Sequence, residues 1–166
     1  MEFKIAFANE LKHEAASTRK MLECVPLDKL TWKPHEKSTE LGKLAKHTAS
    51  LSSWVSRALT TDELDFAKGR PAPAPDFTTT AELLAILDTN VAQALKDLEN
   101  TSNETFMQLW TLRQGEKVYM TMPKAAVIRH MALNHAVHHR GQLSVYLRLL
   151  DVAVPGMYGP TADEPM

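Results

Sequence analysis

Two histidines four residues apart, His135 and His139, are the clearest chemical signal in the chain. They sit in a proline-free stretch, Ile128 to Leu143, that carries four of the seven histidines. Apolar residues recur at Ile128, Met131, Ala132, Leu143, Tyr146 and Leu150, the three-and-four spacing of one helix face. His135 and His139 fall in the gap of that stripe. On a helix their rings stack one turn above the other and point the same way. Such a pair either binds a metal ion or needs buried hydrogen-bond partners. His135 and His138, three apart, are also geometrically able to pair. A third histidine, His47, lies on another predicted helix with Leu44, Leu51, Trp54 and Ala58, on a stripe expected to face the core. Three neutral imidazoles leave a divalent ion open positions for water or substrate, as in catalytic rather than structural sites. Spacing alone leaves both readings open. His13, His35 and His130 read as solvent-facing.

Other chemistries find no motif. The residues between His135 and His139 are Ala136, Val137 and His138, so the glutamate base of an HExxH protease is missing. There is no CxxC pair, phosphate-binding loop, GxSxG elbow or glycine-rich dinucleotide fingerprint. The formal net charge of -1 implies no general attraction to nucleic acid or an anionic membrane. No apolar run approaches the roughly 20 residues that span a bilayer. The single cysteine, Cys24, excludes an internal disulfide and argues for a reducing compartment. With no signal-peptide pattern at the N-terminus, the expected location is the cytoplasm. Cys24 reads as a small buried hydrophobe more than as a reactive thiol.

The elements that must position the histidines follow from periodicity. At 166 residues the chain is expected to form one domain, residues 1–166. Phe3, Phe7, Leu11, Thr18, Met21 and Val25 mark a first amphipathic helix stopped by Pro26. A connector with Pro34 follows. Ser38 or Thr39 can then cap a second helix running to about Leu59. Between Thr60 and Thr79 the alternating prolines Pro71, Pro73 and Pro75 favour an extended path. About 19 residues at roughly 3.3 Å each can run back along a helix of about 30 Å, which makes this segment a long crossover. A linker between two domains is the alternative. Thr79 to Glu82 is a capping-box pattern opening a third helix with Leu83, Leu87, Val91, Ala94 and Leu98 on its stripe. Residues 106–122 read as a short hairpin or irregular excursion around Gly115. Pro123 suits the first turn of a fourth helix. A turn-rich tail follows Leu150; Met157 and Tyr158 read first as surface-packed, with a pocket mouth or a subunit interface as the alternatives.

The histidine stretch Asn134-His135-Ala136-Val137-His138-His139-Arg140-Gly141-Gln142-Leu143 resembles that of the DinB family. Trp32-Lys33-Pro34-His35, Leu41-Gly42-Lys43-Leu44-Ala45-Lys46-His47 and the tail Val154-Pro155-Gly156-Met157-Tyr158-Gly159-Pro160 are similar as well. The likeness covers essentially the whole chain. It implies an all-α four-helix bundle of up-down-down-up topology, with the long crossover between helices two and three. It implies a divalent metal ion, nickel or zinc, held by His47, His135 and His139, with His138 beside the pair. Glu40 departs from the Ser or Thr usual before Leu-Gly and touches only the helix cap. The resemblance also implies a homodimer.

The expected function is that of a metal-dependent enzyme. A divalent ion on three histidines would activate water or a low-molecular-weight thiol, as in hydrolases or the thiol S-transferases of the wider superfamily. The partners would then be a small thiol and an electrophilic small molecule, with no nucleic acid or membrane. His138, Arg140, Gln142 and Tyr146 are candidates to orient substrate, although Arg140 equally makes an ordinary salt bridge. The alternative is a non-catalytic, metal-stabilised homodimer acting in a stress response. DNA binding is disfavoured by the near-zero charge and the lack of a basic face.

Overall fold

A computed structural model describes residues 2–165. Helix α1, Phe3–Glu23, buries Phe7, Leu11, Thr18, Met21 and Leu22 and ends just before Pro26, as its periodicity predicts. A single 3-10 turn, Leu27–Lys29, then leads into the connector. The connector is tied down by backbone bonds: Leu41 N–H donates to the Trp32 carbonyl and Gly42 N–H to the Leu30 carbonyl, both at 2.8 Å. These satisfy two of the free donors at the start of α2, Leu41–Ser50, where Glu40 supplies no side-chain cap. The expected Ser38 or Thr39 cap is therefore replaced by the connector's own carbonyls. Gly42 permits this approach, because a Cβ there would stand 3.1 Å from both the Cβ and the carbonyl oxygen of Leu30.

The second predicted helix is two helices. α2 stops at Ser50 and α3 spans Ser53–Thr60. The physical cause is the serine-rich joint. Ser50 Oγ donates to the His47 carbonyl at 2.9 Å, and Trp54 and Val55 bond back only three residues, to Leu51 and Ser52. Hydroxyls that take up helix carbonyls bend or interrupt a helix.

The segment after α3 carries a strand, β1, Glu63–Asp65, where an uninterrupted crossover was expected. β1 pairs in parallel with β2, Leu109–Gln114, which pairs antiparallel with β3, Lys117–Pro123. The predicted excursion around Gly115 is thus a true hairpin, and Gly115 takes the positive φ of 58° that its turn demands. The Asp65 carboxylate accepts from Gly115 N–H and Ala67 N–H, each at 2.9 Å. Arg113 grips Glu63 with two nitrogens, at 2.9 and 3.1 Å. Pro123 closes β3 and precedes the helix rather than starting it.

The fold is accordingly α+β, and the all-α four-helix bundle expected from the sequence is corrected. What overturns it is the three-stranded mixed sheet, order β1-β2-β3. The hairpin does not stay isolated. A strand from the crossover joins its edge, held by polar side chains that hydrophobic periodicity does not register.

Helix α4, Thr80–Glu99, opens on the predicted capping box, with Thr79 accepting from Glu82 N–H and Glu82 from Thr79 N–H. It packs against α1, α2 and α3. The last long helix has three registers: α5, Lys124–Val127, a π-helical stretch, Ile128–Asn134, and α6, His135–Leu149. Leu143 and Leu147 of α6 join Met21, Leu41, Leu44 and Leu83 in one core cluster. Ile128 and Ala132 join Phe7, Val55, Phe106 and Trp110 in the other. Among the described residues no helix is long and apolar enough to cross a membrane.

Gly42→Val is expected to destabilise the protein by about 1–3 kcal/mol, because the new side chain must displace the Leu30 backbone. Denaturant unfolding beside the wild type measures it.

Candidate metal centre

Three imidazoles converge where α2 lies against α6. His47 comes from the last turn and a half of α2, and His135 and His139 from the first two turns of α6. Their ring centroids stand 5.2 Å (His47–His135), 4.7 Å (His47–His139) and 4.6 Å (His135–His139) apart. One nitrogen from each lies within 4.8 Å of the other two. Among the described residues, no carboxylate or thiol joins this group.

The proton positions follow from the neighbours. His139 Nδ1 is 2.7 Å from Gln142 Oε1, one helical turn on, so with the amide in this orientation it is the N–H side of the ring. That leaves its Nε2 as a lone pair, and this atom faces Nε2 of His135 at 2.9 Å. A ring whose remaining lone pair is aimed into a cluster of other imidazole nitrogens suits a shared cation. Metal-bound histidines use the other ring nitrogen in just this way, on an oxygen that fixes the tautomer. With bonds of roughly 2.0–2.1 Å, tetrahedral ligand nitrogens stand about 3.3 Å apart. The three nitrogens, within 4.8 Å of one another and 2.9 Å apart at the closest pair, bracket that spacing.

Electrostatics keep the rings in their ligating form. Burial, then the nearby His139 and His47, pushes His135 down to about 4, against a weaker opposing hydrogen bond to the Met131 backbone. Burial also lowers His47, with His139 adding to it, and lowers His139 against the raising bond to Gln142. Neutral imidazole is the form that binds metal.

His47 does not point into the core as expected. Leu41, Leu44, Ala45 and Thr48 form the buried face of α2, while His47 lies on its flank and is exposed. The site is therefore a surface site, with His135 and His139 half-buried beside it. His13, His35 and His130 are exposed, as read from the sequence.

The other named residues divide. His138 is exposed, with its ring 4.9 Å from that of His139. Arg140 does not join the cluster. It is 2% exposed and turned to α1, where it donates to the Glu14 carbonyl at 2.7 Å, to the Glu14 carboxylate, to Thr18 Oγ1 at 3.2 Å and to the Tyr158 hydroxyl. Tyr158 in turn donates to Glu14 at 2.6 Å. Burial alone would raise the Glu14 pKa, but the bonds from Tyr158 and Arg140 outweigh it and hold the group ionised. Tyr146 donates to the Thr39 carbonyl at 3.0 Å and meets Trp32 edge-on, so it clamps the connector. Sequence reasoning passed over Glu14, although a glutamate between Leu11 and Thr18 on an apolar stripe is a visible sign of a buried partner.

The chain belongs to the DinB family, whose model matches residues 1–165. It is 25% identical over 166 residues to the uncharacterized protein YrdA of Bacillus subtilis (strain 168), covering 95% of this chain and 89% of that one. A DinB-like protein of Bacillus cereus ATCC 10987 has the same fold, with a TM-score of 0.70 at 19% identity over 92% of this chain and 95% of that one. The DinB-like YjoA of Bacillus subtilis superposes with a TM-score of 0.71 at 17% identity, over 92% and 97%.

Two outcomes follow. Unfolded histidines take up protons near pH 6.5, whereas folded His135 resists to about 4. The metal-free protein should therefore lose stability as pH falls from about 6.5 towards 4, since the unfolded chain then binds more protons. Chelator-treated protein melted across that range checks the slope. Arg140→Met should cost about 3 kcal/mol by stranding the Glu14 carboxylate, while metal content stays at the wild-type level. Urea unfolding paired with elemental analysis measures both.

Proposed function

We propose that this chain is a single-domain, cytoplasmic metal-dependent enzyme that acts on small molecules through an ion held by His47, His135 and His139. The observation that carries the reading is the convergence of three imidazole nitrogens at the protein surface. Nickel or zinc suits an all-imidazole donor set. An ion on three histidines supplies an electrophilic open face that makes a water or a thiol nucleophilic near neutral pH. The chain's own residues do the rest. Gln142 holds His139 in one tautomer, Ser50 and Gly42 fix where α2 presents His47, and His138 stands exposed beside His139, its ring 4.9 Å away. The reaction class favoured is transfer of a low-molecular-weight thiol to an electrophile, with hydrolysis as the water-driven counterpart.

The second reading is a non-catalytic, metal-stabilised homodimer with a stress-response role. It draws support from α6, where Val137, Val145 and Leu149 stand 39%, 57% and 58% exposed along one helix side, with Gly141 between them. A second copy of the chain would cover that stripe, and the enzyme reading accommodates the same dimer.

Elemental analysis of purified wild type, His47→Ala and His135→Ala tests the centre. About one divalent ion per chain is expected in the wild type and a trace in each variant, with helical circular dichroism retained because the apolar clusters hold the fold. Equal trace metal in all three sinks the assignment. Cobalt-substituted protein then separates the two readings: a thiol-dependent change in its visible spectrum supports the enzyme, and indifference to every thiol supports the structural role.

A further inference from the structure

A cleft of about 720 Å³ opens between the α2–α3 pair and α4, walled on its outer side by Pro71 to Pro75. That volume lies in the range of small-molecule sites. His47 lines it, and so does Arg57, ten residues further along the same helical wall. His47 stands on α2 and Arg57 on α3, so the two lie on either side of the break between those helices. Leu51, Trp54 and Ile86 give the cleft an apolar surface.

Its charges are not equivalent. Lys46 is paired with Asp76 at 2.5 Å and Lys43 with Glu40 at 3.1 Å. Glu82 is occupied by the backbone N–H groups of Thr78 and Thr79, at 2.7 and 3.0 Å. Of the cleft's three lysine and arginine side chains, Arg57 alone has no carboxylate partner among the described residues. Its guanidinium lies over the Trp54 ring, 5.7 Å from the centroid, and Trp54 is braced edge-on by the fully buried Trp110 at 6.0 Å. A guanidinium stacked on a fixed aromatic is held in place with its edge free to grip a carboxylate.

We propose that this cleft binds an amphipathic organic anion, with its carboxylate on Arg57 and its apolar body along Trp54 and the proline wall. The far end of such a molecule arrives at His47. That last step, which makes the anion a substrate or co-substrate, rests on the metal-centre reading; the binding site itself does not.

Decanoate and decylammonium, which share a tail and differ in charge, are the probes, with binding followed by tryptophan fluorescence and calorimetry. Decanoate should bind wild type at least tenfold more tightly than decylammonium does. Arg57→Gln should weaken decanoate at least tenfold, and Lys117→Gln, an exposed lysine on β3, should leave it unchanged. Equal binding of the two probes, or full decanoate affinity in Arg57→Gln, overturns the proposal. If Arg57→Gln does not fold, Ala85→Trp fills the cleft from α4, and undiminished decanoate binding there overturns it equally. His135→Ala should lose metal yet bind decanoate as wild type does. In cobalt-loaded protein, mercaptoundecanoate should perturb the spectrum at lower concentration than mercaptoethanol, and Arg57→Gln should erase that advantage. No advantage in the wild type overturns delivery to His47. Wild type that takes up no cobalt overturns the metal-centre reading, while the decanoate arms alone decide the cleft.

Discussion

The close approach of α2 to the connector before it, at Gly42, sets where the histidines meet. Two backbone bonds, from Leu41 to Trp32 and from Gly42 to Leu30, draw the helix start onto a segment with no regular structure of its own. Tyr146 of α6 then clasps the same connector through Thr39 and Trp32. The helix that carries His135 and His139 is thereby registered against the helix that carries His47. Imidazoles drawn from two helices some ninety residues apart converge only with such a common reference.

Helix α6 serves two chemistries on two sides. One side offers neutral imidazoles at the surface, kept neutral by partial burial and by each other. Arg140, the residue after His139, points inward, paired with Glu14 and bonded to Tyr158 from the tail. A buried ion pair of this kind adds little net stability over an apolar pair of the same volume, yet losing one partner is costly. Here it joins α1, α6 and the C-terminal tail at one point. It also turns the guanidinium away from the three imidazoles and towards α1.

Periodicity made α1 and α4 legible, and the capping box located the start of α4 to the residue. The histidine pair was legible from its spacing; His47 was a candidate third imidazole from its helix stripe, and the family resemblance singled it out. What the sequence concealed had particular causes. The break at Leu51–Ser52 comes with the Ser50 hydroxyl bonding to the His47 carbonyl, which a hydrophobic pattern cannot register. Strand β1 is Glu-Leu-Asp, a composition with little strand preference, and its place in the sheet depends on Asp65 reaching Gly115 some fifty residues away. The flank position of His47 was masked because Leu44 and Leu51 share its spacing. The stripe of α2 is centred nearer Ala45 and Thr48, small or polar residues that carry little weight in a hydropathy reading.

The π-helical stretch from Ile128 to Asn134 lies between the sheet and the first histidine of α6. A π turn holds one residue more than an α turn and is equivalent to a single insertion in a helix that otherwise keeps its course. Residue counting is therefore uncoupled across it. The β-hairpin and the histidine pair each keep their own numbering frame, offset by one. Two relatives that match on both sides can differ in length by one residue here without moving either part. The segment is a place where the residue count can change and leave the histidine-bearing side of α6 where it was.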